Sequence, residues 1–134
     1  MWICPKCGRP FTRPHQAHSC VRASVHDFIR GRPADQVKLY RHFEKLALAV
    51  GDVNLAPAKA RIGFQHGRIF AAANGLSRNG LRVHIVTSTP IVSKRVVRTE
   101  AMAPDCYVNH FLIRKEEDTD EQMGEWLRQG YHWA

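Results

Sequence analysis

The sequence contains no apolar stretch approaching the roughly 20 residues a helix needs to cross a bilayer. Nor does it open on a basic region followed by an apolar run, so neither a membrane span nor a secretory signal is expected. Only Cys106 lies outside the first twenty residues among the cysteines. A disulfide framework is therefore excluded, and a reducing cytoplasm is the expected compartment. No glycine-rich loop suited to cradling phosphates is present: Gly63, Gly67, Gly75 and Gly80 read as turn or close-packing positions. No small-molecule cofactor motif, repeat or low-complexity tract is evident. The most informative absence is of negative charge. Residues 58–99 contain no Asp or Glu at all. A metal-dependent nuclease or phosphatase needs carboxylates converging on a cation, and the strand-like part of the chain offers none before Glu100 and Asp105.

What is present suits one ordinary domain with a small appendage. The chain has 134 residues, of which 44% are hydrophobic, enough for a single real core. Its net charge of +8 is unevenly spread. The acid-free stretch holds eight basic residues, whereas residues 100–134 hold eight acidic and three basic ones. Such a distribution suggests a polyanion-facing surface. The alternative is a basic sheet face neutralised by the acidic last third.

The first twenty residues carry the densest motif. Cys4 and Cys7 form a Cys-Pro-Lys-Cys-Gly knuckle, whose two-residue gap lets both sulfurs swing to one side of a tight turn. His18 and Cys20 follow, and alternate residues of an extended segment share a side. Cys4, Cys7, His18 and Cys20 make a closed set of three thiolates and one imidazole, suited to structural Zn²⁺ with no open position for catalysis. His15 and, beyond Cys20, His26 are rivals for the histidine ligand. The expected organisation is a zinc-binding knuckle over 1–23 and an α+β domain over 24–134.

Along the second part, Ser24 to Asp27 reads as a capping box opening a short helical turn. Pro33 starts a long helix whose stripe runs through Val37, Tyr40, Phe43, Leu46, Ala47 and Val50 and stops at Gly51. Residues 61–65 and 68–73 read as a hairpin around His66-Gly67. Asn79-Gly80 leads into a strand over 81–87, with Leu81, Val83, Ile85 and Thr87 on one side and Arg82, His84 and Val86 on the other. A weaker basic strand or loop over 91–98 and a further strand over 106–114 follow. Thr119 to Gln122 reads as the capping box of an amphipathic closing helix carrying Met123, Trp126, Leu127 and Tyr131. The pattern predicts an α+β fold: four or five antiparallel strands flanked by two helices, headed by a zinc knuckle or ribbon.

The head motif Trp-x-Cys-Pro-x-Cys-Gly-Arg-x-Phe with Gln-x-His-Ser-Cys resembles the zinc-headed members of a bacterial domain family of unknown function. The resemblance continues through 59–65, 69–72, 109–113 and Trp126-Leu127, and so covers nearly the whole chain. It implies the same fold, and it implies that His18 and Cys20 belong to the metal site while His15 does not. Asn109 stands where many members of that family have a second histidine.

The resulting functional expectation is a non-enzymatic, zinc-stabilised module that binds RNA or DNA. Arg9, Arg13, Arg61, Arg68, Arg82, Arg95 and Arg98 are the candidate phosphate contacts, and Trp2, Phe11 and Phe64 the candidates for base stacking. The competing class is an adaptor whose zinc head or acidic closing helix docks a protein partner. A metal-independent ribonuclease is the remaining enzyme reading. It would need an imidazole pair and a cation, types that His84, His110, Arg61 and Arg82 supply. Cys106 could act as a nucleophile with His110, but Val108 and Leu112 share its face and favour a structural thiol.

Overall fold

A computed structural model describes residues 1–6, 8–18, 24–58 and 60–134. Two short strands, β1 (Trp2–Ile3) and β2 (Pro10–Phe11), pair antiparallel in the head. Then come α1 (Val25–Ile29), α2 (Ala34–Leu48), β3 (Asn54–Pro57), β4 (Ile62–His66), β5 (Arg68–Ser77) and β6 (Gly80–Thr87). The chain closes with β7 (Val96–Ala103), β8 (Cys106–Ile113), a single 3₁₀ turn (Glu116–Asp118) and α3 (Glu121–Trp133). Strands β3 to β8 form one antiparallel sheet in the order β3-β4-β5-β6-β8-β7. β8 therefore pairs with β6, and β7 is pushed out to the edge.

The expected α+β architecture is found, with differences at particular elements. The sheet has six strands, because the short segment ending at Pro57 pairs with β4 and the basic segment becomes a strand at Val96 rather than Ile91. The Ser24–Asp27 capping box is present with both of its hydrogen bonds. At α3 the cap is Asp120 rather than Thr119. The Asp120 carboxylate accepts from the Met123 amide at 3.0 Å, while the Thr119 hydroxyl donates to the Glu116 carbonyl. A carboxylate is the stronger cap at the positive end of a helix, and it displaces the hydroxyl by one residue.

One face of the sheet carries the core. Phe64, Phe70, Val83, Ile85, Phe111 and Ile113 pack with Tyr40 and Phe43 of α2 and with Met123, Trp126 and Leu127 of α3. Fully burying each such side chain contributes about 1.5–3 kcal/mol, so this layer sets which way every strand faces. Gly130 lets α3 lie close to the sheet: a Cβ there would meet Ile85, Phe70 and the Val86 carbonyl at 3.1 Å. With one face committed, strand alternation turns Arg82 and His84 of β6 and His110 of β8 to the opposite, open face.

Candidate metal head and open sheet face

In the head, the amide of Gly8 donates to the Cys4 carbonyl at 2.8 Å and the amide of Cys4 donates to the Arg9 carbonyl at 3.0 Å. Gly8 has φ +74°, a conformation that costs glycine nothing. These two hydrogen bonds join the end of β1 to the start of β2. The Cys4 side chain is buried. His18 is half-buried and stacks on Phe11 with ring centroids 4.1 Å apart. Its Nδ1 lies 2.6 Å from the Gln16 carbonyl, so Nδ1 carries a proton. That is the orientation a metal-ligating imidazole takes from its outer hydrogen bond. His15 is exposed, has φ 55°, and rests against Trp2 with centroids 5.1 Å apart. Cys7 and Cys20 lie outside the described residues. Among the described residues no three potential ligands gather around one point. The head is tied to the domain by Gln65, whose buried amide nitrogen donates to the Pro10 carbonyl at 2.6 Å.

The open face is built around a row of directly opposed residues: Gly63 of β4, Ala72 of β5, His84 of β6, His110 of β8 and Arg98 of β7. The two imidazoles lie with centroids 5.7 Å apart. An irregularity in β5 between Ala73 and Gly75 frees Asn74 from the ladder, and bulges commonly re-aim a side chain in this way. Its amide nitrogen lies 2.8 Å from Nδ1 of His84. This contact leaves the His84 proton on Nε2. Burial, then the neighbouring His110 and the cation of Arg61, push His84 down from 6.5 to about 4, so it is neutral at neutral pH. Gly75 makes room for the Arg82 guanidinium, which lies across it. On the far side, His110 Nε2 donates to Glu100 Oε1 at 2.6 Å, and Arg98 Nη2 donates to the same oxygen at 3.3 Å. These two donors hold the Glu100 carboxyl below its usual range. Among the described residues, Glu100 is the only carboxylate on any strand of the sheet.

The seven candidate arginines divide among four places. Arg61, Arg82 and Arg98 surround the histidine row. Neither Arg61 nor Arg82 forms an ion pair among the described residues. Arg68 turns toward the helices instead. It donates to the Trp133 carbonyl at 2.6 Å and its guanidinium sits 3.8 Å from the Trp133 ring centroid, at one side of an open groove that Cys106 and His132 also line. Arg95 pairs with Asp120 at 3.0 Å, donates to the Asp118 carbonyl and lies over Trp126. The acidic last third thus engages Arg95, not Arg61 or Arg82. In the head, Arg13 is exposed and Arg9 lies 5.4 Å from the Phe11 ring centroid.

Of the three aromatics considered for stacking, Phe64 has no exposed surface and packs edge-on against Phe43, and Phe11 is buried under His18. Both are closed to a base for that reason, which leaves Trp2 half-buried at the surface. His110 Nε2 is engaged by Glu100. Asn109 faces the core: its amide donates to the Ile85 carbonyl and the Thr87 hydroxyl, and its oxygen accepts from the Ile91 amide. The imidazole pair of this chain is therefore His84 with His110, formed across β6 and β8 without position 109. Sequence alternation placed each histidine on a face, but only the β6–β8 register brings them opposite one another. Asn74, whose contact fixes the His84 tautomer, gave no signal in sequence: the expected strand ended at residue 73, whereas β5 runs to Ser77.

No helix is long and apolar enough to cross a membrane among the described residues. No curated protein and no solved structure matches the chain. Residues 25–134 match one family, so the head lies outside the match, and the chain belongs to the family described as Domain of unknown function (DUF5655).

Proposed function

We propose that this chain is a zinc-headed module that binds nucleic acid through phosphate contacts on the open face of its sheet. The observation that carries this reading is the set Arg61, Arg82 and Arg98 around the His84–His110 row, on a sheet whose described strands hold one carboxylate. A face of this kind draws polyanions and positions phosphates, whereas the helix-covered face is occupied by the core. Arg9 and Arg13 of the head extend the basic surface. Zinc held by Cys4, Cys7, His18 and Cys20 would be structural, and the Nδ1 hydrogen bond of His18 supports that assignment over His15. Arg68 and Arg95 serve the packing of α3 in this reading rather than the phosphate surface.

The test is a salt titration of single-stranded and duplex oligonucleotides against wild type and the Arg61→Gln/Arg82→Gln/Arg98→Gln variant. The variant should bind every sequence more weakly. Its log–log salt dependence should be shallower by about 0.7–0.9 for each phosphate it no longer neutralises. Absence of wild-type binding at low salt would defeat the reading and favour a protein-docking adaptor.

A further inference from the structure

The position of Glu100 carries information about the ligand. Two donors from different strands, His110 Nε2 and Arg98 Nη2, converge on one of its oxygens at 2.6 and 3.3 Å. A third donor lies across the row, the Nε2–H of neutral His84, with its ring centroid 5.7 Å from that of His110. N–H donors gathered on one oxygen, as those of His110 and Arg98 are, bind a carboxylate or a phosphate oxygen alike. Glu100 itself sits on β7, the edge strand, with its side chain 43% exposed. It can swing into water without breaking a ladder hydrogen bond, whereas His84 and His110 are held by strands paired on both sides.

We infer that His84, His110 and Arg98 form a subsite for one phosphate group of the bound nucleic acid, and that the Glu100 carboxylate occupies it when no ligand is present. The subsite rests on the open-face reading given above. Glu100 is then a competitor of the ligand: each phosphate that enters displaces one carboxylate. The displaced carboxylate also repels the arriving strand. Wild-type affinity and salt dependence are both reduced by this exchange, while Arg61 and Arg82 bind phosphate independently of it.

The experiment compares wild type with Glu100→Gln, Glu100→Ala, Arg98→Gln and His110→Ala, using a short single-stranded oligonucleotide and, separately, inorganic phosphate. Far-UV circular dichroism checks each fold. Both Glu100 variants should bind the oligonucleotide about 1.5- to fivefold more tightly than wild type, the range expected for removing one exposed ion pair. Their salt dependence should be steeper by up to about 0.7. Arg98→Gln and His110→Ala should bind more weakly. Inorganic phosphate should shift the His84 and His110 ring resonances at lower concentration in Glu100→Gln than in wild type. Unchanged or weaker oligonucleotide binding in both Glu100 variants would overturn the subsite while leaving the open-face reading intact. If wild type binds no oligonucleotide, the open-face reading fails. The phosphate arm then decides: ring shifts enhanced in Glu100→Gln retain an oxyanion subsite, and their absence removes it.

Discussion

The neutrality of His84 makes stability depend on pH in a way that can be worked out from its surroundings. Its ordinary value of 6.5 is lowered to about 4, chiefly by burial, with His110 of β8 and Arg61 ahead of β4 adding to the shift and Glu100 of β7 opposing it. Below pH 6.5 the unfolded chain takes up a proton that the folded chain refuses until about pH 4. The contribution is thus fully present above 6.5 and is lost as the pH falls toward 4. Linkage puts the loss at roughly 2 kcal/mol between pH 7 and pH 5, and at about 3 kcal/mol over the whole window. Against a typical domain stability of about 5–15 kcal/mol this is easily measured. Urea unfolding of wild type and His84→Gln at pH 7, 6 and 5 provides the assay. Gln does not titrate, so the variant should lose about 2 kcal/mol less than wild type over that range, whatever its stability at pH 7. Parallel loss of stability in the two proteins would mean that His84 is not held neutral by the fold.

Two further predictions concern the head and the core. Native mass spectrometry should find one Zn²⁺ per chain in wild type and His15→Ala and none in His18→Ala; stoichiometric zinc in His18→Ala with loss in His15→Ala would reverse the ligand assignment. Replacing Asn109 by Ala leaves the Ile91 amide and the Ile85 carbonyl without their side-chain partner. The expected cost is about 2–3 kcal/mol in chemical denaturation, the scale of stranded buried polar groups; a change below about 0.5 kcal/mol would show that the network contributes little.

The parts of the structure that were legible in sequence are those fixed by short-range physics. Alternation along 81–87 separated Val83 and Ile85 from Arg82 and His84, because a strand with one buried face admits no other register. Gly67, with φ +76°, closes the β4–β5 turn where the His66-Gly67 pair predicted it. The Ser24 cap followed equally from local spacing. What could not be read were features set by pairing between distant segments. The crossing of β7 to the edge brings Glu100 and Arg98 to His110, and nothing in 91–103 announces it. The facing of Arg68 depends on where the end of α3 comes to rest, and that of Arg95 on the position of Asp120. By charge alone both looked equivalent to Arg82, yet Arg68 lies on the Trp133 ring and Arg95 pairs with Asp120. Asn74 was hidden for a similar reason, since a bulge exists only relative to the partner strand.

Whether nucleic acid meets the open face of the sheet can be seen residue by residue. Chemical-shift mapping with a short single-stranded oligonucleotide at low salt is the decisive measurement. The largest shifts should fall on Arg61, Arg82, His84, Arg98, Glu100 and His110, with residues of α2 and the Arg68–Trp133 groove unmoved. Shifts concentrated on α3 or that groove, with the histidine row silent, would place the binding surface elsewhere and rule out the open face.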